Sequence, residues 1–243
     1  MRRWLPELVA LPLLPLLSAQ GRRVRRVTPR LPEAAGPDNG IAGAQHAGTA
    51  LQLLAVGESP VAGVGVDTHE QAITALLAQE ISRQLQSPVA WRALGLNGVT
   101  VSQAQAQLLP LVRGEPVDVL LVAFGVNDST SFHPVGRWQA DLALLLETLH
   151  KRCKPRLTLL SGVPPMGQFP SLPQPLRWVL GLKAAALDRA AASLAAATPG
   201  VVHVPMRLDP ALPGLMASDK YHPSAEGCAA WARELAQAAA GRW

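Results

Sequence analysis

From residue 51 onward, short apolar runs alternate with longer stretches in which apolar residues recur every three or four positions. A short continuous apolar run suits a strand covered on both faces, and the longer recurrence suits a helix with one face turned inward. Strands are therefore expected at 51–56, 89–94, 117–124, 156–161 and 201–204. Helices are expected at about 69–86, 102–111, 137–151, 176–197 and 223–239. The run Val117-Asp118-Val119-Leu120-Leu121-Val122-Ala123-Phe124 is apolar almost throughout, as a central strand should be. Alternation of this kind predicts βα units around a five-stranded parallel sheet, in an α/β domain spanning 51–240.

The chain before residue 51 lacks this pattern. Leu8 to Gly21 is an uncharged, leucine-rich run preceded by Arg2 and Arg3 and followed by Arg22, Arg23, Arg25 and Arg26. It is short of the roughly 20 apolar residues that span a bilayer, and Pro12 and Pro15 oppose a continuous helix. Residues 1–30 read as an uncleaved membrane anchor or interfacial segment, with an exported signal and a packed or solvated arm as alternatives. The arginines after the apolar run oppose translocation of the downstream chain. Residues 31–50, rich in Pro, Gly and Ala, read as a linker.

Composition narrows the function. With 49% apolar residues among 243 the chain can build a core, which excludes disorder, and 20 Gly and 22 Pro exclude a coiled coil. The formal net charge of +5 invites a nucleic-acid reading, but its distribution does not support one. Seven of the 22 Lys and Arg residues fall in the first 30 positions with one acid, Glu7, leaving 15 basic and 16 acidic side chains in the rest. The domain has no excess positive charge to offer a polyanion, so no nucleic-acid partner is expected. Cys153 and Cys228 have neither metal-site nor disulfide-framework spacing and read as buried thiols; no cofactor or metal is expected.

In an open parallel sheet, ligands bind beyond the carboxyl ends of the strands. Four such ends carry polar signals: Gly57-Glu58-Ser59, Gly95-Leu96-Asn97-Gly98, Gly125-Val126-Asn127-Asp128, and Asp219-Lys220-Tyr221-His222-Pro223 after the last strand. A serine hydroxyl becomes a nucleophile when a base takes its proton, and histidine is suited to that role near neutral pH. Asp219, three residues before His222, can accept the Nδ1 proton and leave Nε2 facing Ser59. The Ser59 and Gly98 backbone N–H groups and the Asn127 amide are candidate oxyanion donors. Pro60 has no N–H, which argues against the elbow design in which the residue after the nucleophile supplies a donor. Pro223 suits a first helical position.

Over residues 51 to 240 these blocks resemble the SGNH, or GDSL-type, hydrolase family. Gly57-Glu58-Ser59 stands for Gly-Asp-Ser, Gly98 for the second block's glycine, Gly125-Val126-Asn127-Asp128 for Gly-x-Asn-Asp, and Asp219 to Pro223 for Asp-x-x-His-Pro. The resemblance implies a flavodoxin-like three-layer α/β/α fold with Ser59 as nucleophile, His222 as base, Asp219 as orienter, and Ser59, Gly98 and Asn127 around the oxyanion. It implies lipid, lysophospholipid, thioester, acetylated-sugar or short acyl ester substrates. Glu58 departs from the family's Asp, and its extra methylene must be accommodated beside Ser59. Alternatives are a carbohydrate O-deacetylase, and a membrane-tethered binding protein in which Glu58 has displaced Ser59. The proline-rich segment 164–182, with Met166, Phe169, Leu172 and Trp178 toward the strand-end edge, is expected to form part of an acyl-binding wall or lid, Leu172 and Trp178 setting chain-length preference, with packing on the sheet as the alternative. Asp128 reads as a local cap, and His69, His133, His150 and His203 as surface or satisfied polar residues.

Overall fold

A computed structural model describes residues 4–242. Six strands form one sheet: β1 (Asn39–Ala42), β2 (Leu51–Gly57), β3 (Val89–Gly95), β4 (Val119–Ala123), β5 (Leu157–Ser161) and β6 (Val201–Val204), in the order β1-β3-β2-β4-β5-β6. The last five are parallel to their neighbours, and β1 runs antiparallel beside β3. Taken in chain order, the parallel strands have the 2-1-3-4-5 arrangement of flavodoxin-like sheets, whose order reverses between the first and third strands. Those are β2 and β4, which carry Ser59 and Asn127 just beyond their ends.

Alternation along the strands divides the core in two. Leu53 and Ala55 of β2 and Val119 and Leu121 of β4 meet α3 (Ile73–Leu85) and α8 (Ala225–Ala239) on one face. Leu54, Val56, Leu120 and Val122 meet α4 (Val101–Gln107), α6 (Val135–Cys153) and α7 (Leu176–Ala197) on the other. Apolar side chains on both faces are what a sheet covered by two helix layers requires. A short α5 (Val126–Thr130) comes after β4. Cys153 and Cys228 are buried free thiols.

Two expectations about elements need correction. The sheet has a sixth strand, because the stretch expected as a linker pairs Asn39 through Ala42 with Val89 through Arg92. The same stretch is tied down by Ala34 and Ala35 N–H groups donating to the Ala62 and Asp67 carbonyls, and by Glu33 accepting from the Asn97 N–H at 2.7 Å. Pro223 is not the first helical residue. It precedes Ser224, the N-cap of α8, whose hydroxyl accepts from the Gly227 N–H. The prolines near the N-terminus leave no single continuous helix, as expected, and each begins a separate one.

Those helices are α1 (Leu5–Ala10), a single 3-10 turn (Leu11–Leu13) and α2 (Leu14–Val27), and each has a proline in its first two positions: Pro6, Pro12 and Pro15. The missing N–H falls where no intrahelical partner exists. Ala10 and Leu17 join the core cluster around α7, the Glu7 carboxylate pairs with the buried Lys183 ammonium, and the Gln20 side chain bonds the Gln174 carbonyl and the Leu176 N–H. Among the described residues, no helix is long and apolar enough to cross a membrane.

Candidate active site

The turn after β2 holds Ser59. Gly57 ends the strand where a Cβ would lie 2.5 Å from Val61 Cγ2 and 2.6 Å from the Ala123 carbonyl oxygen, so only glycine lets the turn fold this close to β4. The Glu58 N–H donates to the Ala123 carbonyl, the Val61 N–H to the Glu58 carbonyl, and the Val64 N–H to the Ser59 carbonyl. Ser59 is thereby fixed and largely buried.

The loop between β6 and α8 brings the other two polar residues to it. His222 Nε2 lies 3.0 Å from Ser59 Oγ, and His222 Nδ1 lies 2.6 Å from Asp219 Oδ2. The second carboxylate oxygen of Asp219 accepts the Tyr221 and His222 N–H groups at 2.9 and 3.0 Å, which orients the carboxylate before the ring is considered. Burial alone would raise the Asp219 carboxyl, but the bonds from the His222 ring, the His222 N–H and the Tyr221 N–H outweigh it and hold the group below its usual range. Tyr221 stacks edge-on against both His222 and Phe169, with ring centroids 5.4 Å apart in each pair. The imidazole is therefore held on two sides, by a carboxylate and by an aromatic ring.

Glu58 is accommodated without moving Ser59 from His222. Its enclosed carboxylate accepts the Val126 N–H at 2.9 Å, the Asn127 N–H at 3.0 Å and the Asn127 side-chain amide at 2.7 Å. Burial pushes its pKa from the ordinary 4.5 up to about 7, against the pull of those three donors and with help from the neighbouring Asp128. The premise that Glu58 displaces the serine is not met.

The candidate oxyanion donors differ in their availability. Among the described residues the Ser59 and Gly98 backbone N–H groups donate to no protein acceptor. The Asn127 amide is engaged twice, donating to Glu58 Oε2 and to the Val99 carbonyl at 3.1 Å. Those two bonds tie the loop holding Gly98 to the Glu58–Ser59 turn. Asp128 is fully buried, accepting from the Val101 N–H at the start of α4 and contacting His133, which also reaches Asp141. It is not the local cap expected of it: it lies inside α5 and reaches back 27 positions to the first turn of α4. Among the described residues, no three His, Cys, Asp or Glu side chains are grouped to hold a metal.

An apolar cavity of about 40 Å³ adjoins Ser59 and His222, lined by Phe124, Phe169, Met206, Leu208, Met216 and Trp231 among others. Of the proline-rich segment it is Pro164, Pro165 and Phe169 that reach it. Leu172 is buried in the core beside α7 and Trp178 is half exposed on that helix, so neither forms the expected wall. Met206, Leu208 and Met216 come from the long loop before His222 and Trp231 from α8. The sequence marks them only as scattered apolar residues.

The arrangement can deprotonate a serine against an ester carbonyl and hold the resulting charge. Residues 55–230 match the GDSL-like lipase/acylhydrolase family. No curated protein matches the chain. Among solved structures, TesA is similar with a TM-score of 0.62 and 22% identity, over 79% of this chain and 99% of that one. An extracellular lipase from Streptomyces rimosus has a TM-score of 0.58 and 16% identity, over 77% of this chain and 99% of that one. An acetylxylan esterase from Geobacillus stearothermophilus has a TM-score of 0.55 and 16% identity, over 79% of this chain and 95% of that one. At such identities the likeness to these structures shows the fold alone.

Proposed function

The chain belongs to the GDSL-like lipase/acylhydrolase family and is an ester-hydrolysing enzyme, and from that premise we propose that it cleaves short acyl esters through an acyl-serine intermediate on Ser59. The observation that carries this reading is the continuous line from Asp219 Oδ2 through His222 to Ser59 Oγ, at 2.6 and 3.0 Å, opening onto an apolar cavity.

Ser59 Oγ attacks the ester carbonyl carbon while His222 Nε2 takes its proton, and Asp219 holds Nδ1–H and stabilises the imidazolium. The tetrahedral oxyanion is held by the Ser59 and Gly98 N–H groups, with Asn127 as a third donor once it exchanges one of its two present partners. Collapse expels the alcohol, which takes the proton from His222. Water then attacks the acyl carbon as His222 removes its proton, and Ser59 is released with the free acid. Both half-reactions use one base and no co-reactant beyond water.

The cavity supports the substrate size. On this measure a water-sized occupant takes roughly 10–15 Å³, so about 40 Å³ holds an acyl chain of a few carbons. Its apolar lining suits a hydrocarbon and gives few partners to sugar hydroxyls, which disfavours an acetylated glycan as the substrate. Hydrolysis of aryl esters of two, four, eight and twelve acyl carbons tests the reading. Turnover should be highest at the short end, and Ser59→Ala should lower it by about 10⁴-fold or more. Activity that survives in the variant, or that peaks at twelve carbons, would overturn the assignment of nucleophile or of acyl site respectively.

A further inference from the structure

The N-terminal helices show two faces. Inward, Pro6, Ala10 and Leu17 are buried and Glu7 turns toward Lys183. Outward, Trp4, Leu8 and Leu11 are about two-thirds exposed, at 64%, 65% and 67%, and Leu5, Leu14 and Leu16 continue the strip. A soluble domain rarely leaves so many large apolar side chains together on one face. Beyond the strip, Arg22, Arg23, Arg25 and Arg26 are all exposed in the last turns of α2. The one acid of this segment is spent on Lys183, so the outward surface is apolar at one end and purely cationic at the other.

We propose that this face docks on an anionic lipid bilayer, with the strip from Trp4 to Leu16 in the acyl boundary and the four arginines of α2 on lipid phosphates. Leucine and tryptophan beside arginine, without an exposed acid, match the chemistry of the membrane interface. Neither helix can span the bilayer. The segment therefore lies on the surface and stays attached to the domain through Glu7–Lys183 and the Gln20 bonds to Gln174 and Leu176.

The segment is also linked to the wall of the cavity through the chain it grips. Gln20 bonds the Gln174 carbonyl on the same proline-rich segment that contributes Pro164, Pro165 and Phe169 to the cavity.

The test is co-sedimentation of the full chain with phosphatidylcholine vesicles, with and without about a quarter phosphatidylglycerol. Binding should be about tenfold or more stronger with phosphatidylglycerol and should weaken as salt is raised. It should be lost in a Leu8→Gln/Leu11→Gln variant and in an Arg22→Gln/Arg23→Gln/Arg26→Gln variant. Both should hydrolyse a soluble aryl ester as the parent does, which verifies their fold. Ser59→Ala should bind as the parent does, so this proposal and the hydrolytic one fail separately. No binding, or binding indifferent to both variants, overturns the proposal. A concentration-dependent dimer abolished by Leu8→Gln/Leu11→Gln would overturn it too, assigning the strip to a second copy of the chain.

Discussion

Glu58 is enclosed, carries a carboxylate, and still accepts three N–H groups, so its ionisation is set by a contest between desolvation and hydrogen bonding. Desolvation wins, and the pKa rises to about 7. A carboxyl whose pKa is raised by folding favours the native state most when protonated. Its contribution is complete below about pH 4.5 and is lost as pH climbs through about 7, an effect of order 3 kcal/mol. Glu58→Ala should cost about 1–3 kcal/mol at low pH, because the Val126 and Asn127 donors lose their acceptor. Urea unfolding at several pH values should show that gap narrowing toward pH 8; a gap that widens would mean the ionised form is the favoured one. Asn127 permits a sharper comparison. As a direct oxyanion donor, its replacement by Ala should lower kcat by about 10²-fold or more with little change in KM. If it serves only to tie Val99 to Glu58, the loss will appear in Tm and not in kcat. Gly98 has φ +81° with open space around it, so Gly98→Ala should cost about 1–2 kcal/mol through backbone strain without a steric clash. Ser59, Asp219 and His222 are readable in the sequence because motif spacing and strand ends identify them independently. The anchoring of Asn127 by Glu58 is not readable there, since it joins residues 69 positions apart through a contact that no local pattern encodes.

At the scale of elements, the N-terminal helices make the clearest prediction. Lys183 is fully buried on α7 and its charge is met by Glu7 of α1, with the Phe132 ring 5.5 Å away. Removing one partner of a buried pair leaves the other uncompensated, which costs more than the pair itself contributes. Glu7→Ala should lower stability by about 1–3 kcal/mol, the partial exposure of Glu7 setting the lower end. Glu7→Leu with Lys183→Met should recover most of the loss in a thermal unfolding comparison. Recovery is the diagnostic outcome; a double variant as weak as the single one would mean the pair is not the cause. The elements themselves are largely legible in the sequence. All five parallel strands can be read from their apolar runs, with boundaries differing by at most two residues, and α7 coincides with its expected range. β1 escapes because Asn39-Gly40-Ile41-Ala42 has no apolar run and only Ala42 is buried, so its strand character comes from pairing with β3 and not from its own residues. α5 escapes because it is only five residues long and its first three belong to the Gly-x-Asn-Asp block.

At the scale of the molecule, the sheet order accounts for the position of the site. The reversal between β2 and β4 opens a crevice at their carboxyl ends, into which the turn after one strand, the loop after the other, and the loop before α8 converge. Alternating apolar runs disclose that topology and the strand-end residues, but not the acyl cavity, whose lining comes from separate loops that meet only in the folded chain. The central claim is that Ser59, activated by His222, forms the covalent acyl intermediate, and reaction with a fluorophosphonate followed by peptide mass spectrometry tests it most directly. The account predicts one adduct per chain, located on Ser59, absent from Ser59→Ala and formed far more slowly in His222→Ala. A folded protein that takes up no adduct, or takes it up on another residue, would contradict it.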